Sequence, residues 1–547
     1  MKEITRRDLF KVGGVAAATV ASAGLLASCA PSGSGSSTGD SAAKSAGSTT
    51  TQAGHVRAGL PSFLETPKAI SDVKEKKDYD VVVIGAVAAG VPAACAAREA
   101  GATVALIQKE STAISQGNTA SGIKLDTSDP AGVEAVVTRL VKEGQYRSNR
   151  DLVEIWAKNS GEAIQWILDT CTAEGAQVSD TTAKWTAAIK TVGGYKVDYL
   201  SIDFGPKPYN TGEGMKVLAD YAEKQGVEIF YSTPAEQLVV EGGAVKGVIA
   251  KGKEGYIQFN AKKGVILATG DYQNDDEMMA YYLPDLQYMG RKQSNKTGDG
   301  HKMAVWAGGA IEDLNHTKML HDFDAGPGSM ADFAFLATKM DGKRFCDETC
   351  GMSLMNNFLR SEVDAGNYCQ VFDSNYLTQT EGWPGKALPP EAMAAYMPEV
   401  EGEKKGVFKD LIGTFQADSI KELGEKLGVT DVDAFEKSVA RYNELVAKGA
   451  DEDFGKEAKW LKPIDTPPFY GIHRHVRVSA IVSGVNVDSN QQVTSAETGE
   501  PIPGLYACGN VAGNFYCGVD YSMFMPGLSL GRAHTMGRVL GKYVASL

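Results

Sequence analysis

The stretch Gly85-Ala86-Val87-Ala88-Ala89-Gly90 has residue types and spacing suited to holding a pyrophosphate. In a G-x-G-x-x-G turn the first glycine makes a tight bend and the second lets backbone approach the phosphate. The third lets helix and strand pack closely. Here the first and third glycines are kept and the middle one is Val87, whose branched side chain should push a phosphate outward or shift the turn. A helix starting at this point would add unpaired N–H groups and partial positive charge. Gln108 stands where a carboxylate usually grips a ribose; it can still donate or accept a bond, with less strength than a charged group. A second loop, Gln116 to Gly122, is built of small residues that allow close backbone approach to a ligand. Cys346 and Cys350 lie four apart with no accompanying ligand pair, which reads as structural. The eight cysteines include neither C-x-x-C nor C-x-x-C-H, so there is no signal for an attached haem or a Cys-rich zinc site and no metal is expected.

The turn requires a βαβ frame, and the sequence supplies one. Tyr79 to Val83 is apolar and β-branched apart from Asp80, an alanine-rich run follows, and Val104 to Ile107 lies where the next parallel strand belongs. Residues 226–270 alternate apolar and polar positions across Gly/Lys turns and predict several strands ending in a buried run, Gly264 to Ala268. Helical spacing links Ile420, Leu423 and Leu427, then Phe435, Val439, Tyr442 and Leu445. The tail from Tyr470 predicts short strands and a closing helix from about Ser529.

At 547 residues the chain has room for two or more domains, and a net charge of −13 argues against binding nucleic acid or an anionic membrane through bulk electrostatics. Arg6-Arg7 precedes an apolar run, Val12 to Leu26, that is too short to span a bilayer. This resembles a twin-arginine export signal, and Leu26-Ala27-Ser28-Cys29 resembles a lipoprotein processing box with Cys29 as the lipidated residue. The expected location is extracytoplasmic, lipid-anchored to the cell membrane. Pro31 to Thr51, rich in Ser, Gly and Thr, reads as a flexible tether.

The order of segments carries a family resemblance. After the βαβ start come NTASG (118–122), GVILATGDY (264–272), TGDGHKMAVWAGGAIED (297–313), DGKRFCDE (341–348), ARYNELVAKGADEDFGK (440–456), PIPGLYACGN (501–510) and PGLSLGRAHTMG (526–537). The chain resembles the FAD-dependent flavoproteins related to fumarate reductases and 3-ketosteroid dehydrogenases. The resemblance implies an α/β fold: a Rossmann-like FAD-binding domain split in sequence, with an inserted α+β capping domain. The expected boundaries are a signal at 1–29, a linker at 30–74, the FAD-binding domain at 75–312 and 469–547, and the cap at 313–468. It implies FAD contacts at Gly85, Ala86, Ala89, Gly90, Gln108 and Lys109, and at Asn118, Thr119, Ser121 and Gly122 in the second loop. Ala235 would lie near the adenine, with Ala268, Thr269, Gly270, Gly509 and Asn510 continuing along the cofactor. Ser529 and Leu530 would offer helix-start N–H groups to the flavin's N1–C2=O edge.

Fumarate reductases hold a dicarboxylate with arginines and histidines, and here three matching positions depart. Met352 stands at the donor arginine, Ser479-Ala480 at the paired histidines, and Phe524 at the arginine before the final helix. Without cation forks a cleft has little means to hold fumarate. Tyr521 matches the tyrosine that precedes a P-G-x-[ST]-L-G segment in the ketosteroid branch, a position for general acid–base work; Tyr516 and His321 are further candidates. The expected activity is reduction of an activated C=C bond in a neutral or aromatic small molecule, in anaerobic respiration. A separate electron donor, a membrane quinol dehydrogenase or a cytochrome, would serve it. The alternatives are a ketosteroid-type dehydrogenase and a non-catalytic, small-molecule-binding lipoprotein with a weakened flavin site.

Overall fold

A strand that is apolar on both faces belongs in the interior of a sheet, with layers above and below it. Val81, Val82 and Val83 are fully buried and sit in such a place. The computed structural model describes residues 61–547, apart from 207–208, 314–315, 322–325, 361–364 and 399–411, together with the pairs Thr49–Thr50 and Val56–Arg57. The export signal at Arg6-Arg7 and the lipidation site at Cys29 lie outside the described residues. The chain divides into two units, 1–59 and 60–547. In the first, Thr49–Thr50 pairs antiparallel with Val56–Arg57. All that follows concerns the second.

Its central feature is an eight-stranded sheet. Glu228–Phe230, Val104–Ile107, Val73–Ile84 and Gly255–Leu267 run parallel in that order. The start of Gly255–Leu267 also pairs antiparallel with Ala244–Gly252, and its last residues pair parallel with Pro501–Ala507. Strands from opposite ends of the chain thus meet in one sheet. Helices Gly90–Glu99 and Leu528–Ser546 pack against each other on this layer. Beside them Tyr199–Phe204 pairs with Thr119–Ile123 and Val178–Asp180 in a smaller antiparallel sheet.

The inserted segment is an antiparallel sheet with strand order Leu336–Lys339, Asn367–Phe372, Phe469–His475, Thr414–Ala417. Helices Ile420–Leu427 and Val432–Lys448 cover it, burying Leu423, Leu427, Phe435, Val439, Tyr442 and Leu445, which helical spacing singles out, while Ile420 packs against them half-buried. Ser419 and Asp431 cap these helices by accepting from Glu422 N–H and Ala434 N–H. Phe469–His475 hydrogen-bonds on both sides within this sheet, although the sequence places it with the second part of the FAD-binding domain. The chain then returns through Arg477–Ile481, which pairs with Lys318–His321.

The GKRFCDE and GADEDFGK motifs meet in a buried charge cluster. Arg344 contacts Glu348 at 2.9 Å and Asp451 at 2.7 Å, while Lys456, fully buried, reaches Glu348 at 3.0 Å. Buried charges of this kind are tolerable only when each is paired. Burial opposes the Asp451 charge, yet Arg344 and the N–H groups of Lys456 and Phe454 hold its carboxyl down at about 2. The cluster ties the loop carrying Cys346, Cys350 and Met352 to the end of a cap helix.

Candidate active site

A cavity of about 1990 Å³ is lined by the ends of the parallel strands, the start of the C-terminal helix and residues of the inserted segment. At one end lies the glycine-bracketed turn. Gly85 has φ +111°, and a Cβ there would fall 2.4 Å from Ala268 O; a Cβ on Gly90 would fall 1.9 Å from Gly85 O. Both glycines therefore act as the sequence implies, one in the bend and one in close packing. Val87, half-buried, lines the cavity at the vacated middle position. His534 on the C-terminal helix donates from Nδ1 to Ala88 O at 2.7 Å and braces the turn from behind, since a carbonyl can only accept. Burial lowers this imidazole to about 4, so it is neutral.

Most positions expected to contact FAD face this cavity: Gly85, Ala89, Gln108, Lys109, Asn118, Thr119, Ala235, Ala268, Thr269, Gly270, Gly509, Asn510, Ser529 and Leu530. Four do not line it. Ala86 is buried, and its carbonyl accepts from Gln108 Nε2 at 3.3 Å. Gly90 packs behind the turn. Ser121 is buried with its hydroxyl 2.7 Å from that of Ser201, and a Cβ on Gly122 would fall 2.3 Å from Ser160 O. These two positions dock the second loop onto its neighbours. Gln108 also differs from expectation, because its amide bonds back to its own turn. Lys109 binds Thr297 and Asp299, both at 2.8 Å.

FAD fits these residues. Thr269 Oγ1, Gln116 Oε1 and Asn295 Oδ1 are buried at the cavity wall with no protein partner. Buried polar atoms are normally satisfied, so these three await a polar ligand. The first turn of Leu528–Ser546 adds helix-start N–H groups at Ser529 and Leu530. Among the described residues no group of three or more His, Cys, Asp or Glu is placed to hold a metal ion, and no helix is long and apolar enough to cross a membrane.

Tyr521 lines the same cavity at 7% exposure. Burial, with Tyr516 beside it, pushes its phenol well above the usual range; a hydrogen bond from the Ser529 backbone pulls weakly the other way. Its own N–H donates to Lys318 O at 2.9 Å, fixing the start of the ring's support. Tyr516 does not line the cavity. It lies behind Tyr521, ring centroids 5.3 Å apart, with the Arg532 guanidinium 5.1 Å from its ring centre, and burial raises its phenol to about 12. His321 faces the cavity on the rung opposite Arg477, which faces it too.

Met352, Ser479 and Ala480 line the cavity. Phe524 does not. It packs on the core with the Arg139 guanidinium 3.9 Å from its ring centre, and Met523 and Met525 take its place in the wall. Sequence reasoning missed those two methionines and Met319, because a methionine carries no motif. It also missed the cations of the loop 290–300: Arg291, Lys292 and Lys296 line the cavity. Their cue was a basic run just before the helix that begins at Asp299. Arg291 is bound to Asp276 at 2.6 Å and Lys296 to the fully buried Asp271 at 3.2 Å.

Residues 80–521 match the FAD binding domain family. The chain is 29% identical to a vinyl phenol reductase of Lactiplantibacillus plantarum over 505 residues, covering 85% of this chain and 96% of the relative. It is 28% identical to a fumarate reductase (cytochrome) of Shewanella frigidimarina, covering 85% of this chain and 77% of that one. In three dimensions it is similar to a flavocytochrome c3 fumarate reductase in its open conformation, with TM-score 0.66 and 24% identity, over 87% of this chain and 79% of the other.

Proposed function

The chain belongs to the FAD binding domain family of flavoproteins and is an FAD-dependent oxidoreductase; from that premise we propose that it reduces an activated C=C bond in a neutral or aromatic organic substrate. The observation that carries the substrate class is that Met319, Met352, Met523, Met525 and Ala480 line the same cavity as Tyr521. Thioethers pack well on aromatic and conjugated surfaces, and apolar burial stabilises by roughly 25 cal/mol per Å². The relative whose name specifies a vinyl phenol fits the same chemistry. A dicarboxylate would lose its hydration here, with Arg291 and Lys296 already paired to carboxylates.

FAD, when bound, supplies hydride chemistry. The rest falls to the protein. Tyr521 is held protonated by burial and serves as the proton donor to the carbon left electron-rich; a phenol with a raised pKa can still protonate a far more basic carbanion centre. His321 and Arg477 give the cavity one polar edge, suited to the carbonyl or phenol oxygen that activates the alkene. Arg6-Arg7 and Cys29 support export and a lipid anchor on the outer face of the cell membrane, where a membrane quinol dehydrogenase or cytochrome would feed electrons for anaerobic respiration. A single-turnover experiment tests the reading. The FAD-loaded protein, reduced anaerobically by dithionite, should regain its oxidised-flavin absorbance when a vinyl phenol or an enone is added, with the saturated product formed in equal amount. Reoxidation by none of a panel of neutral conjugated alkenes would overturn it.

A further inference from the structure

Of the cysteines among the described residues, Cys95, Cys171, Cys346, Cys369, Cys508 and Cys517 are buried, and Cys350 alone is not. Cys350 lines the large cavity, two residues before Met352. A tight turn in which Cys350 N–H donates to Asp347 O at 3.0 Å folds this residue back toward Cys346. Cys350 Sγ donates to Gly351 O at 3.6 Å, and the two thiols are near enough to shift each other's titration. Cys346 belongs to a buried apolar cluster, and Cys350 packs against that cluster from the cavity side. One sulfur is therefore accessible and the other, in contact with it, is shielded. An attacking thiol and its resolving partner need this asymmetry.

We propose that Cys350 and Cys346 form a thiol–disulfide centre on the cavity wall, with Cys350 attacking and Cys346 resolving, and with a low-molecular-weight disulfide as co-reactant. The Cys350 thiolate attacks one sulfur of the co-reactant; that S–S bond breaks, one thiol leaves and a mixed disulfide remains on Cys350. The Cys346 thiolate then attacks Cys350 Sγ and expels the second thiol. The protein loses two electrons and two protons, and the co-reactant gains both, becoming two thiols. The order of attack agrees with the electrostatics. The nearby Cys346 lowers the Cys350 thiol, whereas that same proximity and then burial push Cys346 up. The buried charge cluster of Arg344, Glu348 and Asp451 holds the segment between the cysteines in place. Gly351, at φ +79°, links Cys350 to Met352.

The test uses the FAD-loaded protein incubated anaerobically with excess oxidised glutathione, followed by alkylation and peptide mass mapping. In the wild type the peptide holding Cys346 and Cys350 should lose two hydrogens in mass and both alkylation sites, and dithiothreitol should restore both. Cys346→Ser should instead trap one glutathionyl group on Cys350, because nothing resolves it. Cys350→Ser should leave Cys346 unmodified over the same period. A wild-type peptide that stays a dithiol, or an adduct on Cys346 in the Cys350→Ser protein, would overturn the assignment. Retained flavin absorbance shows in each case that the protein is folded.

Discussion

Tyr521 and Tyr516 are five residues apart in sequence and 5.3 Å apart in space, yet only one faces the cavity. Tyr521→Phe keeps the ring and removes the hydroxyl, so FAD and substrate binding should hold while turnover falls by about two to four orders of magnitude. Unchanged steady-state turnover would move the proton to His321. Tyr516→Phe should leave turnover within a few-fold, because its hydroxyl does not reach the cavity. At the phosphate turn, Val87→Gly removes a side chain from the cavity wall and should slow loss of FAD during dialysis; faster loss would contradict this account of the turn. Sequence was informative wherever chemistry needs a particular residue type, as at Gly85 and Gly90. It was uninformative where any apolar side chain would serve. Met523 and Met525 replaced Phe524 in the wall because they lie in the loop before the C-terminal helix, whose direction is not written in residue type.

The elements were legible where periodicity was strong. The buried run 264–268, the spaced apolar positions of the two cap helices and the closing helix all lie where their patterns place them. The four-stranded sheet of the inserted segment was not legible, since its strands come from 336–339, 367–372, 414–417 and 469–475 and pair only through long-range contacts. The C-terminal helix and the phosphate turn act as one unit, with His534 bonded to Ala88 O and Gly90 seated against Gly85. Gly90→Ala would place a methyl 1.9 Å from a carbonyl oxygen. It should cost about 1–3 kcal/mol by overpacking. A lower Tm together with faster FAD loss is the expected outcome, and a Tm unchanged from wild type would show that the helix can slide.

For the whole molecule, buried histidines contribute to the response to acid. Burial lowers His301 and His534 from 6.5 to about 4, so the folded state keeps them neutral while the unfolded chain protonates below 6.5. Their stabilising contribution is complete above pH 6.5 and is lost as pH falls toward 4, on the order of 3 kcal/mol for each. Tm measured from pH 8 to 4 should hold and then decline across that window, and His534→Gln should flatten the decline. If Cys29 carries the proposed lipid anchor, Cys29→Ala should move the protein from the membrane fraction to a soluble extracytoplasmic pool, because stable anchoring needs the two chains of a diacylated cysteine. The central claim is that a methionine-walled cavity selects a neutral conjugated alkene. Its most direct test is kcat/KM measured anaerobically with reduced viologen as electron donor, for a vinyl phenol and an enone beside fumarate. The account predicts turnover of at least one neutral substrate and fumarate lower by about two orders of magnitude or more, the cost of roughly 3 kcal/mol for burying two carboxylates against a methionine-rich wall. Fumarate turned over as efficiently as the best neutral alkene would contradict it.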